Sequence, residues 1–306
     1  MFNPAPFRLP ALFLALTAAG FSPAAPSVVT SIAPVHAIVA DVMEGVGEPL
    51  SLVPADRTPH HYSLRPSEAR ELSRADMVVW VGPELETFLA RTLESLTDDA
   101  RVLQLTAEPG IVLLPYRDDH GHDDVHHDDH GREGAADPHI WMSFDNARAI
   151  AAAVAAGLSA LDVANAERYA DNAARASREY AELGAEIAER LRPYAGVPFM
   201  VFHDAYQYFE RETGLTNVGA VTVRADISPG IERMSELRRT VREAKVRCIF
   251  GEPQFPARIL DAVAEGSGAR VARIDPLGAG IEPGPGAYAR LMRAFAADIA
   301  GCLGEG

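Results

Sequence analysis

Residues 164–192 read ANAERYADNAARASREYAELGAEIAERLR. Apolar side chains recur in this stretch at steps of three and four residues: Tyr169, Ala173, Ala176, Tyr180, Leu183, Ile187 and Leu191. That spacing places them along one face of a single long helix. At 1.5 Å per residue the helix would span roughly 40 Å, which is long enough to connect two domains rigidly.

Strand and helix patterns alternate on both sides of the predicted helix. On its N-terminal side, the continuous apolar run Met77–Val81 is typical of a strand buried on both faces of a parallel sheet. On its C-terminal side, Phe199–Phe202 and Cys248–Phe250 repeat the strand pattern, and Ser228-Pro229 indicates the start of a helix. The sequence therefore predicts an α/β protein with two doubly wound βα lobes joined by one long rigid helix.

The predicted organisation has four segments. They are a signal peptide at 1–25, an N-terminal α/β lobe at 26–163, the linking helix at 164–192 and a C-terminal α/β lobe at 193–306. The signal peptide rests on Arg8, the apolar run Leu9–Phe21 and the small residues that follow at 22–25. The apolar run is too short to cross a membrane, and no cysteine lies directly after it as a site for a lipid anchor. We therefore expect a periplasmic protein with no lipid anchor and no direct membrane insertion.

Composition sets further bounds. The chain has 306 residues and 48% hydrophobic side chains, which is enough for two packed domains. Its net charge of −15 argues against nucleic acid or an anionic membrane surface as a partner, and we expect a monomer. Cys248 and Cys302 are the only cysteines. In an oxidising compartment an isolated pair predicts one disulfide, with two buried free thiols as the alternative.

An acidic, histidine-rich segment occupies residues 118–133. It holds five of the ten histidines in the chain: His120, His122, His126, His127 and His130. Val125 is its single apolar side chain, so the sequence predicts a disordered loop. Imidazoles and carboxylates together bind divalent transition metals, which makes the loop a predicted secondary metal site. The alternative is a solvated acidic loop.

Candidate metal ligands fall after predicted strands, where open α/β sheets bind their ligands. They are His60, His139, His203 and Asp275. Two belong to each lobe, so the cleft between the lobes would receive all four. Each taken alone is more often an ordinary turn residue than a ligand, but the histidine-rich segment independently indicates metal. Asp204 is a candidate to orient His203 by a hydrogen bond, or else to cap the following helix.

Three imidazoles and one carboxylate suit a tetrahedral Zn²⁺ site, whereas manganese or calcium would favour more oxygen ligands. Three histidines with an open fourth position are also the pattern of catalytic zinc. A zinc hydrolase is therefore one alternative, with Glu252 as the only obvious candidate for its general base. The chain lacks the motif His-Glu-x-x-His, and we expect no enzyme.

Six short motifs make the chain similar to a known family. In chain order they are HHYSLRPS at 60–67, VWVGPE at 79–84, HIWMS at 139–143, VFHDAY at 201–206, GEPQF at 251–255 and IDPLG at 274–278. Together with the histidine-rich segment and the late cysteine pair, they resemble the zinc-uptake solute-binding proteins of bacterial ABC importers. This is the ZnuA type of the cluster A-I (cluster 9) family. The resemblance runs over nearly the whole mature chain.

The resemblance implies a high-affinity zinc site between the lobes, with His60, His139 and His203 as ligands and Asp275 nearby or coordinating. Manganese-binding relatives carry glutamate at the position of His203, which favours zinc over a manganese or iron carrier. Pro59 stands where zinc members can carry an acidic residue, so Asp275, water or His61 is the candidate fourth ligand.

The resemblance also implies a partner. Zn²⁺ would be delivered to an inner-membrane ABC permease driven by a cytoplasmic ATPase. The long helix would limit hinge bending, so we expect metal loading to cause a small and mostly local rearrangement.

Overall fold

The computed structural model describes residues 25–96, 100–117, 136–222 and 229–305. The predicted signal peptide, apart from Ala25, and the histidine-rich segment with His120, His122, His126, His127 and His130 lie outside the described residues. The interpretations made for those segments therefore stay predictions. Within the described ranges, no helix is both long and apolar enough to span a bilayer.

The N-terminal lobe is built on a parallel sheet with the strand order β2-β1-β3-β4. Its strands are β1 (Val28–Thr30), β2 (Leu50–Ser51), β3 (Met77–Trp80) and β4 (Arg101–Gln104). Its helices are α1 (Ala33–Met43), α2 (Pro66–Leu72), α3 (Thr87–Leu96) and α4 (Phe144–Leu161). All four residues of β3 are buried, as the continuous apolar run predicts for a strand covered on both faces.

The C-terminal lobe repeats this topology in the order β6-β5-β7-β8, also parallel. Its strands are β5 (Phe199–His203), β6 (Asn217–Thr222), β7 (Cys248–Gly251) and β8 (Arg270–Arg273). Its helices are α6 (Gln207–Thr213), α7 (Ile231–Glu243), α8 (Arg258–Ala264) and α9 (Ala287–Gly304). The strand order reverses beside β5, so the carboxyl ends of β5 and β7 flank the point where such sheets bind ligands.

Helix α5 (Ala166–Leu191) links the lobes. The apolar side chains that predicted it are all buried along its length. It packs against α1 and α4 of the N-terminal lobe and against α6 and α9 of the C-terminal lobe. Because of this packing, one continuous apolar cluster extends through both lobes, which we call the main core. The predicted fold of two doubly wound lobes and a long linking helix is confirmed.

Buried hydrogen bonds also cross between the lobes. The indole nitrogen of Trp141 donates to the carbonyl of Pro276 at 3.0 Å, and Tyr288 donates to the carbonyl of Trp141 at 2.8 Å. Asp41 of α1 accepts the backbone N–H of Gly286, the residue before α9. Separating the lobes would leave these polar groups unpaired, so the arrangement opposes wide hinge opening.

A second, smaller cluster covers the other face of the C-terminal sheet. It includes Met200 and Phe202 of β5, whereas Phe199 and Val201 of the same strand belong to the main core. This alternation follows from the two-residue period of a strand. Helices α7 and α8 supply the rest of this outer cluster, including Leu237 and Leu260.

One helix begins later than the sequence predicts, and a buried carboxylate precedes the start of another. Helix α3 starts at Thr87, directly after Glu86, which is buried and whose carboxylate accepts the N–H groups of Val81 and Gly82. Helix α7 starts at Ile231 with Gly230 as its cap, so Pro229 is not its first residue. Ser228 lies outside the described residues.

Cys248 of β7 and Cys302 of α9 form a disulfide. The predicted pairing is confirmed, and the alternative of two free thiols is wrong. Both cysteines belong to the main core, so the bond ties the inner face of the C-terminal sheet to α9.

The double variant C248A/C302A should be less stable than the wild type by about 2–4 kcal/mol, because the bond closes a loop of 54 residues. Alanine is preferred to serine since both positions are buried and a hydroxyl there would lack a partner. Denaturant unfolding of both proteins, with and without reductant, measures the difference. If the wild type and the double variant have the same free energy of unfolding without reductant, the disulfide does not stabilise the fold.

Candidate metal centre

His60 lies on a short 3-10 helix, Pro59–His61, in the long loop after β2. The helix starts at Pro59, whose fixed φ suits a first helical position, and the hydroxyl of Thr58 accepts the N–H of His60 at 3.3 Å. The side chain of His60 is partly buried, whereas that of His61 is exposed. Adjacent residues of a 3-10 helix point about 120° apart, so only one of the two can face the cleft.

His139 is held by a buried carboxylate two residues earlier. One oxygen of Asp137 accepts the backbone N–H of His139 at 2.9 Å and lies 2.6 Å from its Nδ1. The other oxygen accepts a hydrogen bond from Gln207 of α6 at 2.6 Å. With Nδ1 engaged, the Nε2 of His139 is the nitrogen left to bind a metal.

His203 is the last residue of β5, and its partner comes from the neighbouring strand. The Nδ1 of His203 lies 2.6 Å from the carboxylate of Glu252, which directly follows β7. Both residues are buried. The Nε2 of His203 therefore points away from Glu252 and lies 3.3 Å from the Nε2 of His139.

His60, His139 and His203 converge in the cleft, each offering a ring nitrogen within 4.8 Å of the other two. Among the described residues this is the one group of three potential ligands with such spacing. Zinc–nitrogen bonds of 2.0–2.1 Å in a tetrahedron place two ligand nitrogens about 3.3 Å apart. The Nε2 atoms of His139 and His203 already have that separation.

The space between the three rings is small and has mostly apolar walls; we call it the metal chamber. Its walls are Thr58, Pro59, Trp141, Phe255, Pro276 and Leu277, together with Glu252, Gln254 and the three histidines. Such walls limit the access of water, so ligand groups inside interact more strongly than they would at the surface.

Asp275 does not join the three histidines in this structure. Its carboxylate accepts the backbone N–H groups of Leu277, Gly278 and Ala279 at 3.0, 3.0 and 2.6 Å. Gln254 adds a further hydrogen bond at 3.3 Å. The carboxylate thus builds the turn that places Pro276 and Leu277 in the chamber wall. Its predicted role as a ligand stays a prediction.

The two carboxylates change the acid–base behaviour of the site. Burial by itself would lower the pKa of His203, but the negative charge and hydrogen bond of Glu252 outweigh burial and raise it above the usual value. Burial would raise the pKa of Asp137, but contact with His139 outweighs burial and lowers it. Asp137 is therefore an anion at neutral pH.

The sequence did not identify these partners. Glu252 and not Asp204 contacts the ring of His203, and Asp204 instead lies 3.5 Å from Arg117. Glu252 is 49 residues from His203, and only strand pairing brings the two together. Asp137 had a local signal that was missed, since its carboxylate lies two residues before a candidate ligand in Asp-Pro-His.

Comparison with known proteins gives a family. The family described as "ZnuA: Zinc-uptake complex component A periplasmic" matches residues 28–302. The high-affinity zinc uptake system protein ZnuA of Paracoccus denitrificans is 37% identical over 300 residues, covering 91% of this chain and 92% of the relative. The protein of the same name from Brucella suis is 34% identical over 309 residues, covering 91% and 92%.

A solved structure agrees with these matches. The crystal structure of a ZnuA protein superposes with a TM-score of 0.77 at 26% identity, covering 91% of this chain and 99% of the other. Fold, sequence motifs and extent of coverage therefore lead to one conclusion. The chain belongs to the ZnuA family of periplasmic zinc-uptake components.

Proposed function

We propose that this protein binds Zn²⁺ with high affinity in the periplasm and delivers it to an ABC importer for zinc uptake. The observation that carries the proposal is the 3.3 Å separation between the Nε2 atoms of His139 and His203, with His60 completing the cluster. The family membership and the names of the relatives support the same function.

The ligands in this proposal are the three imidazoles. Neutral imidazoles alone would leave the charge of a buried dication uncompensated. Asp137 and Glu252 each contact the far nitrogen of one ligand ring, so two carboxylates lie directly behind the coordination sphere. This arrangement fixes the ring orientation and increases ligand basicity. An all-nitrogen protein ligand set favours zinc over manganese.

The fourth coordination position belongs to water or to Asp275. In the present conformation the Asp275 carboxylate accepts four hydrogen bonds, which favours water. The exposure of His61 argues against His61 as the fourth ligand.

A binding protein is a better interpretation than a zinc hydrolase. Glu252, the candidate general base, contacts the Nδ1 of His203 and therefore lies behind a ligand ring. A general base must reach the metal-bound water on the open side of the ion. The carboxylate of Glu252 supports coordination in this arrangement.

The partners follow from the proposed transport role. They are an inner-membrane permease and its cytoplasmic ATPase, with the protein acting as a monomer that neither binds nucleic acid nor inserts into the membrane. The net charge of −15 supports the absence of nucleic-acid binding. Native mass spectrometry of the purified chain tests the monomer.

H203A should lose the tight zinc site, because it removes one of three ligands, whereas H61A should keep it. Native mass spectrometry at limiting zinc measures the stoichiometry of both variants.

Deletion of residues 118–133 should lower the total zinc bound but leave one tight site. If H203A that also lacks residues 118–133 still binds zinc tightly, the proposed ligand set is refuted. It is also refuted if the tight site is lost in the variant that lacks only residues 118–133.

Protons compete with zinc for His203, whose pKa is raised above the ordinary histidine value of about 6.5. As the pH decreases, zinc affinity should therefore begin to fall while the pH is still above about 6.5. E252Q removes the charge that raises this pKa, so its affinity should start to fall at lower pH. E252Q should also weaken binding about 10–100-fold at pH 8, because the ring loses its carboxylate partner.

Competition with a chromophoric chelator from pH 5.5 to 8 measures this profile. D204N is the matched control, since Asp204 is the neighbouring carboxylate that does not contact the ring. A larger displacement of the profile by D204N than by E252Q would contradict the assignment.

Zinc loading should leave the radius of gyration nearly unchanged, because the main core and the buried hydrogen bonds of Trp141 and Tyr288 hold the lobes together. Small-angle scattering with and without zinc measures this, and the variant lacking residues 118–133 excludes a contribution from that segment. Compaction of several ångströms in both proteins would show that the lobes close around the metal.

A further inference from the structure

The metal chamber presents a problem of access. His139 and His203 are only 3% and 5% exposed, and the small space around them is lined mostly by apolar surface. The main core and the interlobe hydrogen bonds oppose separation of the lobes. Zinc therefore needs a local movement to reach His203, and an equally local movement to leave it.

Phe255 is the wall residue with space to move into. It lies in the turn between β7 and α8, with its ring 5.8 Å from that of His203 in edge contact and stacked at 4.8 Å on Phe202. It lines the metal chamber. It also lines, together with Glu252, an adjacent second cavity of about 270 Å³.

The second cavity is large enough for the ring. An apolar cavity of about 150 Å³ accommodates benzene, and this one is lined by Phe202, Leu260 and Val271 among others. Its rim contains the exposed residues Pro256, Ala257 and Arg273. The side chain of Phe255 is itself partly exposed, so a ring that moved into the cavity would uncover a path from solvent to the edge of His203.

The surroundings of the cavity allow such a rotation. Phe202 and Leu260 belong to the outer cluster of the C-terminal lobe, which is separate from the main core, and Phe255 packs against that outer cluster. The disulfide and the contacts between the lobes are in the main core. Phe255 can therefore change rotamer without disturbing the packing that holds the two lobes together.

We propose that Phe255 is the gate of the metal chamber and that zinc enters and leaves when its ring rotates into the adjacent cavity. This inference rests on the proposed zinc-binding function. The ring must rotate before zinc can bind and again before zinc can leave. It therefore sets the rates of association and dissociation, but not the dissociation constant, which is their ratio. Affinity is then governed by the histidines and their carboxylates, and exchange rate by Phe255.

Filling the cavity tests the gate. Val271 lines the cavity from β8, and V271F would occupy the space that the Phe255 ring needs. We expect V271F to slow zinc association and chelator-driven dissociation by about tenfold each, with F255A accelerating both by about tenfold. The dissociation constant of V271F should stay within about threefold of wild type, because Val271 lies outside both the coordination sphere and the wall of the metal chamber.

V102F is the matched control for V271F. Val102 lies on β4, the strand of the N-terminal sheet that corresponds to β8, and it is 40% exposed where Val271 is 36% exposed. Stopped-flow measurements with a zinc indicator should give wild-type rates for V102F. Thermal unfolding verifies that each variant is folded. If F255A is not folded, the comparison of V271F with V102F tests the gate by itself.

The outcomes separate the gate from the function. Wild-type exchange rates in folded V271F would overturn the gate, as would slow rates equal to those of V271F in the control V102F. Absence of tight zinc binding in the wild type would instead refute the proposed function before any rate is compared.

Discussion

The close approach of the His139 and His203 rings is the constraint on which the rest of the site depends. Their Nε2 atoms are 3.3 Å apart although the residues are 64 positions apart in the chain. Each ring is fixed from behind by one carboxylate, Asp137 or Glu252. The two rings belong to different lobes. The distance between them therefore stays constant only if the lobes keep the same relative position.

That relation is set by the core and not by the coordinating residues. Helix α5 carries one apolar face into a cluster that both lobes share. Asp137 contributes directly, since one of its oxygens contacts His139 and the other accepts a hydrogen bond from Gln207 of the opposite lobe. The orientation of a ligand and the docking of the lobes are thus parts of one hydrogen-bond network.

Much of this architecture could be predicted from the sequence, because it follows from periodicity. The apolar face of α5, the buried strand β3 and the position of His203 after a strand are local patterns. The three histidines chosen from the sequence are those that the structure brings together. Glu252 could not be assigned, because its contact with His203 arises only from the pairing of β5 with β7. Similarly, Asp275 followed a strand as expected, but backbone N–H groups of its own turn occupy its oxygens.

The contact between α1 and α9 has a consequence for how the molecule acquires its structure. The first described helix and the last pack on each other, and Asp41 accepts an N–H from the residue just before α9. When a chain is synthesised or exported with its N-terminus first, it cannot complete the main core until α9 has also been released. Such long-range closure slows folding and couples the maturation of the two lobes. Truncation of the last turns would therefore affect the first half of the chain as well as the second.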